Sequence, residues 1–315
     1  MYYKELKQAH DALTGPGGDF EIIETEILGH RIRDYKNSPK SIREIWLSTA
    51  QFADRDCIVY QDERISYAEA HRIVSSVSGW LYERGVRPGD RVAIAMRNYP
   101  EWMLIYWACT CMGVAVVGMN AWWTETEMAY GINDAQPAFV FVDFERLARI
   151  KDNPEIKVPP ELISVRLETE NEGVTGWGTI IQDDRPMPEV DIDPDSDACI
   201  FYTSGTTGQP KGVAIEHRSL ANYVQWAIGQ YVRGRSLAFP LFSPLTFDLT
   251  VTSIYVPLLS GGQIVVYPET ADPIDLSLQR IFQENIVDVI KLTPSHLTLV
   301  QGQSLGSRVK TLILG

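Results

Sequence analysis

A stretch rich in glycines and hydroxyls has the composition of a phosphate-binding loop. Residues 203–212 read TSGTTGQPKG and contain four hydroxyl side chains, three glycines and one lysine. Glycines let backbone N–H groups approach an anion, hydroxyls donate further hydrogen bonds, and Lys211 supplies a mobile positive charge. The apolar runs 198–202 and 213–215 on either side are predicted to be buried strands. The stretch is not a Walker A loop, because Gly212 follows Lys211 where that loop has Ser or Thr. A flexible hairpin loop is the alternative interpretation.

Two charged residues stand in otherwise apolar surroundings. Asp248 lies between Phe247 and Leu249 at the predicted start of a helix, where aspartate is a preferred N-cap. Lys291 ends the apolar run 286–290, and a lysine at a strand end usually places its ammonium in solvent. A cap carboxylate can also face a pocket, so Asp248 can serve both as a cap and as a substrate-binding group.

The run from Tyr202 to Gly212 resembles the signature loop of the adenylate-forming superfamily, which includes acyl-CoA synthetases, adenylation domains of nonribosomal peptide synthetases, and luciferases. The resemblance covers the chain from about Ser41 to Gly315. It implies ATP-dependent activation of a carboxylic acid as an acyl-adenylate, with release of pyrophosphate and with Mg²⁺ accompanying ATP. By this resemblance the ATP phosphates are bound by Thr203, Ser204, Gly205, Thr206, Thr207, Gly208 and Lys211. No residue is assigned as a direct metal ligand.

The surroundings of Asp248 resemble the substrate-pocket motif of peptide-synthetase adenylation domains, where the aspartate pairs with the α-ammonium of an amino acid. By this resemblance the specificity positions are Asp248, Leu249, Thr252, Lys291, Ile313 and Gly315. The pattern is similar to that of aspartate-activating domains, with Lys291 taking the side-chain carboxylate. A fatty acid would leave both charges unpaired. The implied acceptor is the phosphopantetheine of a carrier protein, or coenzyme A.

The two halves of the chain resemble different branches of the superfamily. Residues 100–102 and 116–120 resemble acyl-CoA synthetases, whereas the sequence from Lys211 onward resembles peptide synthetases. The sequence therefore favours a ligase that activates an amino acid. An acyl-CoA or fatty-acid ligase and a non-catalytic, truncated nucleotide-binding module are the alternatives.

The resemblance also predicts what the chain lacks. The superfamily's adenine motif and the C-terminal lid with its catalytic lysine are expected beyond Gly315. We therefore assign no catalytic residue and expect the 315-residue chain to be C-terminally incomplete, with weak activity or none.

The composition narrows the class of protein. A net charge of −13 without a long basic run argues against a nucleic-acid partner. No apolar segment reaches the roughly 20 residues that span a bilayer, and the N-terminus has no apolar signal core. Among the four cysteines, Cys109 and Cys111 could suggest a metal site, but they lie in an apolar helical run without nearby histidines. Core thiols in a reducing cytoplasm are therefore favoured.

The order of the predicted elements indicates an α/β fold. Strands near residues 91–96, 114–119 and 138–142 are separated by helix-length segments, which predicts mostly parallel sheets flanked by helices. Residues 1–40 are predicted to be a polar, turn-rich lead-in, and residues 41–315 one domain. Within that domain, we expect loops with weak strands over residues 152–197. His217 is interpreted as a surface or capping residue, and Ser219 as the cap of the helix that follows.

Overall fold

The structure, a computed structural model, describes residues 2–18, 20–27, 29–167, 173–203, 210–246, 249–269, 277–300 and 306–315, with only the backbone of Tyr2 and Leu249. Two units are distinguished, residues 1–40 and residues 41–315. The first unit contains helix α1 (Tyr2–Thr14) and an antiparallel hairpin of β1 (Ile22–Ile27) and β2 (His30–Tyr35). The sequence analysis predicted neither the helix nor the hairpin, because it considered only the turn residues of this segment.

The second unit alternates strands and helices along most of its length. Its helices are α2 (Ile42–Ser48), α3 (Tyr67–Glu83), α4 (Pro100–Thr110), α5 (Glu125–Ala135), α6 (Phe144–Ile150), α7 (Trp177–Ile181), α8 (His217–Ala227), α9 (Leu249–Leu259), α10 (Ser277–Glu284) and α11 (Pro294–Leu299). Its strands are β3 (Asp56–Tyr60), β4 (Glu63–Ser66), β5 (Arg91–Ala95), β6 (Ala115–Gly118), β7 (Phe139–Val142), β8 (Glu161–Ser164), β9 (Thr175–Gly176), β10 (Asp197–Thr203), β11 (Lys211–Glu216), β12 (Ala238–Leu241), β13 (Gln263–Val266), β14 (Val289–Leu292) and β15 (Thr311–Leu314). A 3-10 turn (Thr49–Phe52) follows α2, and a π-helical turn (Ile228–Val232) follows α8.

Local sequence signals start several of these helices. Thr124 and Glu127 form a complete capping box at α5, and the Ser66 hydroxyl accepts from the Glu69 N–H at α3. Pro100 occupies the first turn of α4, where a missing N–H costs nothing. The cap predicted at Ser219 is wrong. Helix α8 begins two residues earlier, so Ser219 lies inside its first turn.

The larger sheet of the described residues has the strand order β11-β10-β6-β5-β7-β8-β9. Strands β10, β6, β5, β7, β8 and β9 pair in parallel, and only β11 pairs antiparallel, with β10. The parallel arrangement predicted from the βαβ spacing is confirmed. The segment predicted as loops with weak strands supplies the short strands β8 and β9, together with helix α7.

A second sheet has the order β12-β13-β3-β4, and β14 and β15 form a separate parallel pair. Asp288 links this pair to β12, because its N–H donates to the Ala238 carbonyl and its carboxylate accepts from the Ala238 N–H, both at 2.8 Å. Strand β14 is therefore held beside β12 by both the backbone and one side chain.

Helix α4 lies in the core between the two sheets. All its residues from Pro100 to Thr110 are buried, which fits the continuous apolar run from Trp102 to Cys109. The apolar cluster around it includes residues of β3 and β13 from one sheet and of β5 and β6 from the other. The Trp107 ring stacks on that of Trp46, with 4.9 Å between ring centroids. The free cysteines of the chain are buried, as predicted, and burial raises the pKa of each thiol. No helix of the described residues is long and apolar enough to cross a membrane.

His217 is a core residue, so its interpretation as a surface histidine is wrong, whereas a capping contact is present at the first residue of α2. Its side chain is fully buried at the start of α8, and its Nδ1 accepts a hydrogen bond from the Ile42 N–H at 3.3 Å. Because Nδ1 is the acceptor, the neutral ring carries its proton on Nε2. Burial lowers the pKa of His217 from 6.5 to about 4, since the charged imidazolium loses its hydration.

This buried histidine predicts a loss of stability in mild acid. Between pH 6.5 and pH 4 the unfolded chain binds a proton at His217 that the folded chain does not, so the free energy of unfolding falls as the pH falls. The contribution reaches about 3 kcal/mol at pH 4. Urea denaturation at pH 7.5 and pH 4.5 measures how much the free energy of unfolding falls between these two pH values. This fall should be smaller in His217→Asn, whose amide oxygen can still accept from Ile42, than in the wild type. The exposed control His10→Asn should retain the full effect. Equal pH effects in wild type and His217→Asn would contradict the assignment.

Candidate functional site

The predicted phosphate loop connects the two strands at one edge of the larger sheet. Strands β10 and β11 pair antiparallel, and their last pair before the loop is Thr203 with Lys211. These two side chains are exposed, and directly opposed residues of an antiparallel pair lie on the same face. Residues 204–209 lie outside the described residues. The predicted phosphate ligands Ser204, Gly205, Thr206, Thr207 and Gly208 are therefore not placed.

One of the two flanking strands is not buried. Residues 211–214 of β11 are exposed, and Val213 shows 47% of its surface to solvent, so the prediction of a buried strand is wrong for β11. The apolar run could not show this, because exposure follows from the position of β11 at the sheet edge. Strand β10, between β11 and β6, contributes the buried residues Ala198 and Cys199 as predicted.

Strand β10 is fixed where it leads into the loop. The Tyr202 hydroxyl donates to the Asp134 carboxylate at 2.7 Å, and the Tyr202 ring packs edge-on against Trp123. Beside it, Phe201 pairs with Gly118 of β6, and a β-carbon at Gly118 would lie 2.6 Å from the Phe201 ring. Glycine is thus required at this contact. Thr203 is therefore held in place as the last residue of β10. It lies at the carboxyl ends of the parallel strands, which is the edge where open α/β sheets bind ligands.

Three of the predicted specificity residues lie together on α9, β14 and β15. Thr252 in the first turn of α9 is fully buried, and its Oγ1 accepts a hydrogen bond from the Lys291 Nζ at 3.0 Å. Ile313 of β15 is the register partner of Lys291 on β14 and is buried. Lys291 itself is half-buried rather than extended into solvent.

The remaining specificity positions are only partly placed. Gly315 follows β15, and its N–H donates to the Leu292 carbonyl at 3.0 Å, one residue beyond Lys291. Leu249 begins α9, so its backbone lies one turn before Thr252. Asp248 lies outside the described residues, and its predicted roles as cap and as ammonium-binding group stay predictions.

Tyr223 of α8 is a polar residue of this group that the sequence analysis missed. Its hydroxyl lies 2.5 Å from the Thr252 Oγ1. In the sequence, Tyr223 belongs to an apolar stripe with Leu220, Val224 and Ala227, which indicates a core position and gives no signal for the hydroxyl. The side chains of Tyr223, Thr252 and Lys291 form a continuous hydrogen-bonded chain, which we name the Tyr-Thr-Lys relay.

A small cavity adjoins the relay. It has a volume of about 10 Å³ and is lined by residues 240–243 at the end of β12, by Thr250 and Ser253 of α9, and by Lys291. This volume accommodates about one water molecule. The cavity is therefore too small to be the substrate pocket itself, although it places polar side chains of α9 beside the Lys291 ammonium.

A buried charge cluster lies beyond the carboxyl ends of β5, β7 and β13. The Arg146 guanidinium binds both carboxylate oxygens of Asp143, and the two side chains are 1% and 6% exposed. Arg97 donates its N–H to the same carboxylate, and its guanidinium lies 3.9 Å from the Glu269 carboxylate. Burial raises the pKa of Glu269 to about 7, although the Arg97 charge opposes this shift. No motif indicated this cluster, because Arg97, the pair Asp143 and Arg146, and Glu269 come from three separate segments of the chain.

A family model described as AMP-binding enzyme matches residues 45–315. This chain belongs to that family. The matched segment, which we call the AMP-binding domain, lies within the second unit of the chain, and it includes the predicted phosphate loop and specificity positions. Members of the family use ATP.

The AMP-binding domain is similar in sequence to peptide synthetases. It is 32% identical to bacitracin synthase 3 of Bacillus licheniformis over 263 residues, which are 82% of this chain and 4% of that protein. It is 31% identical to tyrocidine synthase 3 of Brevibacillus parabrevis over 259 residues, which are 82% of this chain and 4% of that protein. The chain therefore spans a small part of these relatives, and the similarity extends through both halves of the chain.

The fold is similar to that of acyl-CoA ligases and of peptide-synthetase subdomains. A putative long-chain-fatty-acid CoA ligase from Rhodopseudomonas palustris matches with a TM-score of 0.76 at 17% identity, covering 89% of this chain and 70% of that one. The N-terminal subdomain of NpsA from Klebsiella oxytoca matches with a TM-score of 0.65 at 20% identity, covering 88% and 66%. The predicted fold, mostly parallel sheets flanked by helices as in the N-terminal domain of adenylate-forming enzymes, is confirmed.

Proposed function

We propose that the AMP-binding domain activates an amino acid, with aspartate as the first candidate, by forming an aminoacyl-adenylate from ATP. The observation that carries this proposal is the placement of the Lys291 ammonium against the buried Thr252 hydroxyl, one turn into α9. In this proposal Asp248, which precedes α9 in the sequence, supplies a carboxylate to the substrate, and Lys291 supplies an ammonium. A carboxylate on one side and an ammonium on the other suit a zwitterion with an acidic side chain.

Charge matching supports an amino acid with a second carboxylate. An ammonium has three N–H donors, and a substrate carboxylate would bind Lys291 through a charge-assisted hydrogen bond. Lys291 is half-buried beside the apolar Ile313, where a charge pair is screened less than in water. In this assignment Asp248 binds the α-ammonium, Lys291 binds the side-chain carboxylate, and Leu249, Thr252, Ile313 and Gly315 line the pocket.

The phosphate loop would supply the other half of the reaction. The substrate carboxylate attacks the α-phosphorus of ATP, and pyrophosphate leaves. The domain contributes by positioning the two groups and by neutralising the charge of the leaving group. We assign Thr203, Ser204, Gly205, Thr206, Thr207, Gly208 and Lys211 to the β- and γ-phosphates. The exposed Lys211 suits the polyphosphate of ATP, and Mg²⁺ bound with ATP would supply further charge neutralisation.

The second candidate is a ligase that activates a fatty acid for transfer to coenzyme A. This candidate is consistent with the similarity between the fold of the AMP-binding domain and that of an acyl-CoA ligase. The half-buried Lys291 on Thr252 argues against it, because an alkyl chain offers the Lys291 ammonium no charge-assisted hydrogen bond. The two candidate functions also imply different acceptors. An activated amino acid would be transferred to the phosphopantetheine of a carrier protein, and an activated fatty acid to coenzyme A.

Substrate-dependent ATP–pyrophosphate exchange by the intact protein tests the proposal. We expect aspartate to give exchange at least tenfold above asparagine, and a medium-chain fatty acid to give none. Exchange with the fatty acid alone would overturn the amino-acid assignment and favour the acyl-CoA ligase. ATP binding without exchange for any acid would overturn catalysis and leave a nucleotide-binding module.

A further inference from the structure

We propose that Tyr223 is a positioning residue that makes the pocket selective for an anionic side chain, by orienting Lys291 through Thr252. The inference rests on the proposed function and extends it to a residue outside the predicted specificity positions. Tyr223 lies on α8, 29 residues before Thr252 and 68 before Lys291, and reaches the site only through the packing of α8 against α9.

The direction of the hydrogen bonds follows from the chemistry of the three groups. An ammonium only donates, so the Thr252 Oγ1 accepts from Lys291. A hydroxyl has one proton and two lone pairs, so Thr252 can either donate its proton to the Tyr223 oxygen or accept from the Tyr223 hydroxyl with its second lone pair. In both arrangements Tyr223 keeps one lone pair of Thr252 directed toward the Lys291 Nζ.

The burial of Thr252 makes this contact important. Thr252 is fully buried, so water does not readily replace a lost partner of its hydroxyl. Without the Tyr223 hydroxyl, the Thr252 hydroxyl loses a partner that fixes its orientation, so its lone pair is held less firmly toward Lys291. The ammonium would then lose its fixed position, and a substrate carboxylate would have to order it on binding.

Tyr223 is itself held in place by packing. Its half-buried ring packs against two core clusters and lies 6.0 Å from the Trp226 ring, measured between centroids. Removing the hydroxyl alone, as in Tyr223→Phe, leaves these apolar contacts intact. This substitution therefore separates the relay from the packing of the helix.

The test compares Tyr223→Phe with Tyr231→Phe in the intact protein. Tyr231 lies in the π-helical turn after α8 and packs edge-on against Trp226, so its variant also removes one tyrosine hydroxyl from the same region. We expect Tyr223→Phe to raise the KM for aspartate about five- to tenfold, the effect of one lost hydrogen bond. The KM for ATP and the kcat for asparagine should stay unchanged, and Tyr231→Phe should behave like wild type. Equal effects on aspartate and asparagine, or no effect on either, would overturn the positioning role.

A second measurement keeps the inference testable even if aspartate is not the substrate. The ¹⁵Nζ resonance of Lys291 in labelled protein, assigned by its absence in Lys291→Met, reports on the ammonium without any substrate. We expect Tyr223→Phe to shift or broaden this signal and Tyr231→Phe to leave it unchanged. A changed signal without aspartate exchange in wild type would refute the proposed substrate while supporting the relay. An unchanged signal in Tyr223→Phe would refute the relay.

Discussion

Replacing Lys291 by methionine should reduce aspartate-dependent ATP–pyrophosphate exchange by about two orders of magnitude. Methionine retains the length and apolar stem of lysine but removes the ammonium that donates to Thr252. The substrate carboxylate would then be desolvated without a partner, which costs about 2–5 kcal/mol in comparable charge pairs. The effect should appear in kcat/KM for aspartate, and in the Kd of a non-reactive aspartyl-adenylate analogue measured by calorimetry.

Lys310→Met is the matched control for this substitution. Lys310 precedes β15 and donates to the Ser307 carbonyl at 2.7 Å in an exposed position. Lys310→Met should leave aspartate-dependent ATP–pyrophosphate exchange unchanged. Leucine-dependent exchange that rises in Lys291→Met while aspartate exchange falls would show that Lys291 selects the side chain. A loss shared equally by all amino acids, or no loss, would contradict the role of Lys291 in specificity.

Replacing Arg146 by methionine should destabilise the fold by about 3–5 kcal/mol. Arg146 is 1% exposed and pairs with the buried Asp143 through two hydrogen bonds. Without the guanidinium, the Asp143 carboxylate keeps, among the residues that the structure describes, its bonds from the backbone N–H groups of Arg97 and Arg146. A buried carboxylate that loses its cation is costly because its hydration was already given up on folding. The urea midpoint of unfolding, followed by far-ultraviolet circular dichroism, measures the loss.

Arg280→Met provides the comparison on the surface. Arg280 pairs with Glu284 at 2.6 Å on α10, but the two side chains are 48% and 33% exposed. Removing this pair should cost less than about 1 kcal/mol, because solvent screens exposed ion pairs. If Arg146→Met cost no more than Arg280→Met, the buried pair would not contribute to stability as argued.

Local patterns in the sequence were sufficient to predict most elements of the second unit. The strands β5, β6 and β7 and their parallel pairing follow from apolar runs separated by helix-length segments. The capping box at Thr124 and the proline at the start of α4 mark helix starts through contacts within a few residues. Such signals are readable because the interacting groups are neighbours in the chain.

Other features depended on where an element lies in the fold. The apolar run of β11 predicted burial, but β11 is the edge strand and residues 211–214 are exposed. His217 looked like a surface residue, yet α2 supplies the Ile42 N–H that binds it from 175 residues away. Burial at these positions is set by the neighbouring elements, which the local sequence does not specify.

The sequence by itself determined the family to which this chain belongs. The composition of residues 203–212 predicts a phosphate loop, and the resemblance carried by the run from Tyr202 to Gly212 led to the family that the comparison then established. Only the tertiary structure decided which side chains act together. Lys291 forms a hydrogen bond with Thr252, 39 positions away in the sequence, and Thr252 forms one with Tyr223, 29 positions away. Both bonds exist because β14 and α8 pack on α9. A hydrogen bond between distant segments forms only when packing brings its two groups within about 3 Å, and no spacing along the chain encodes that distance.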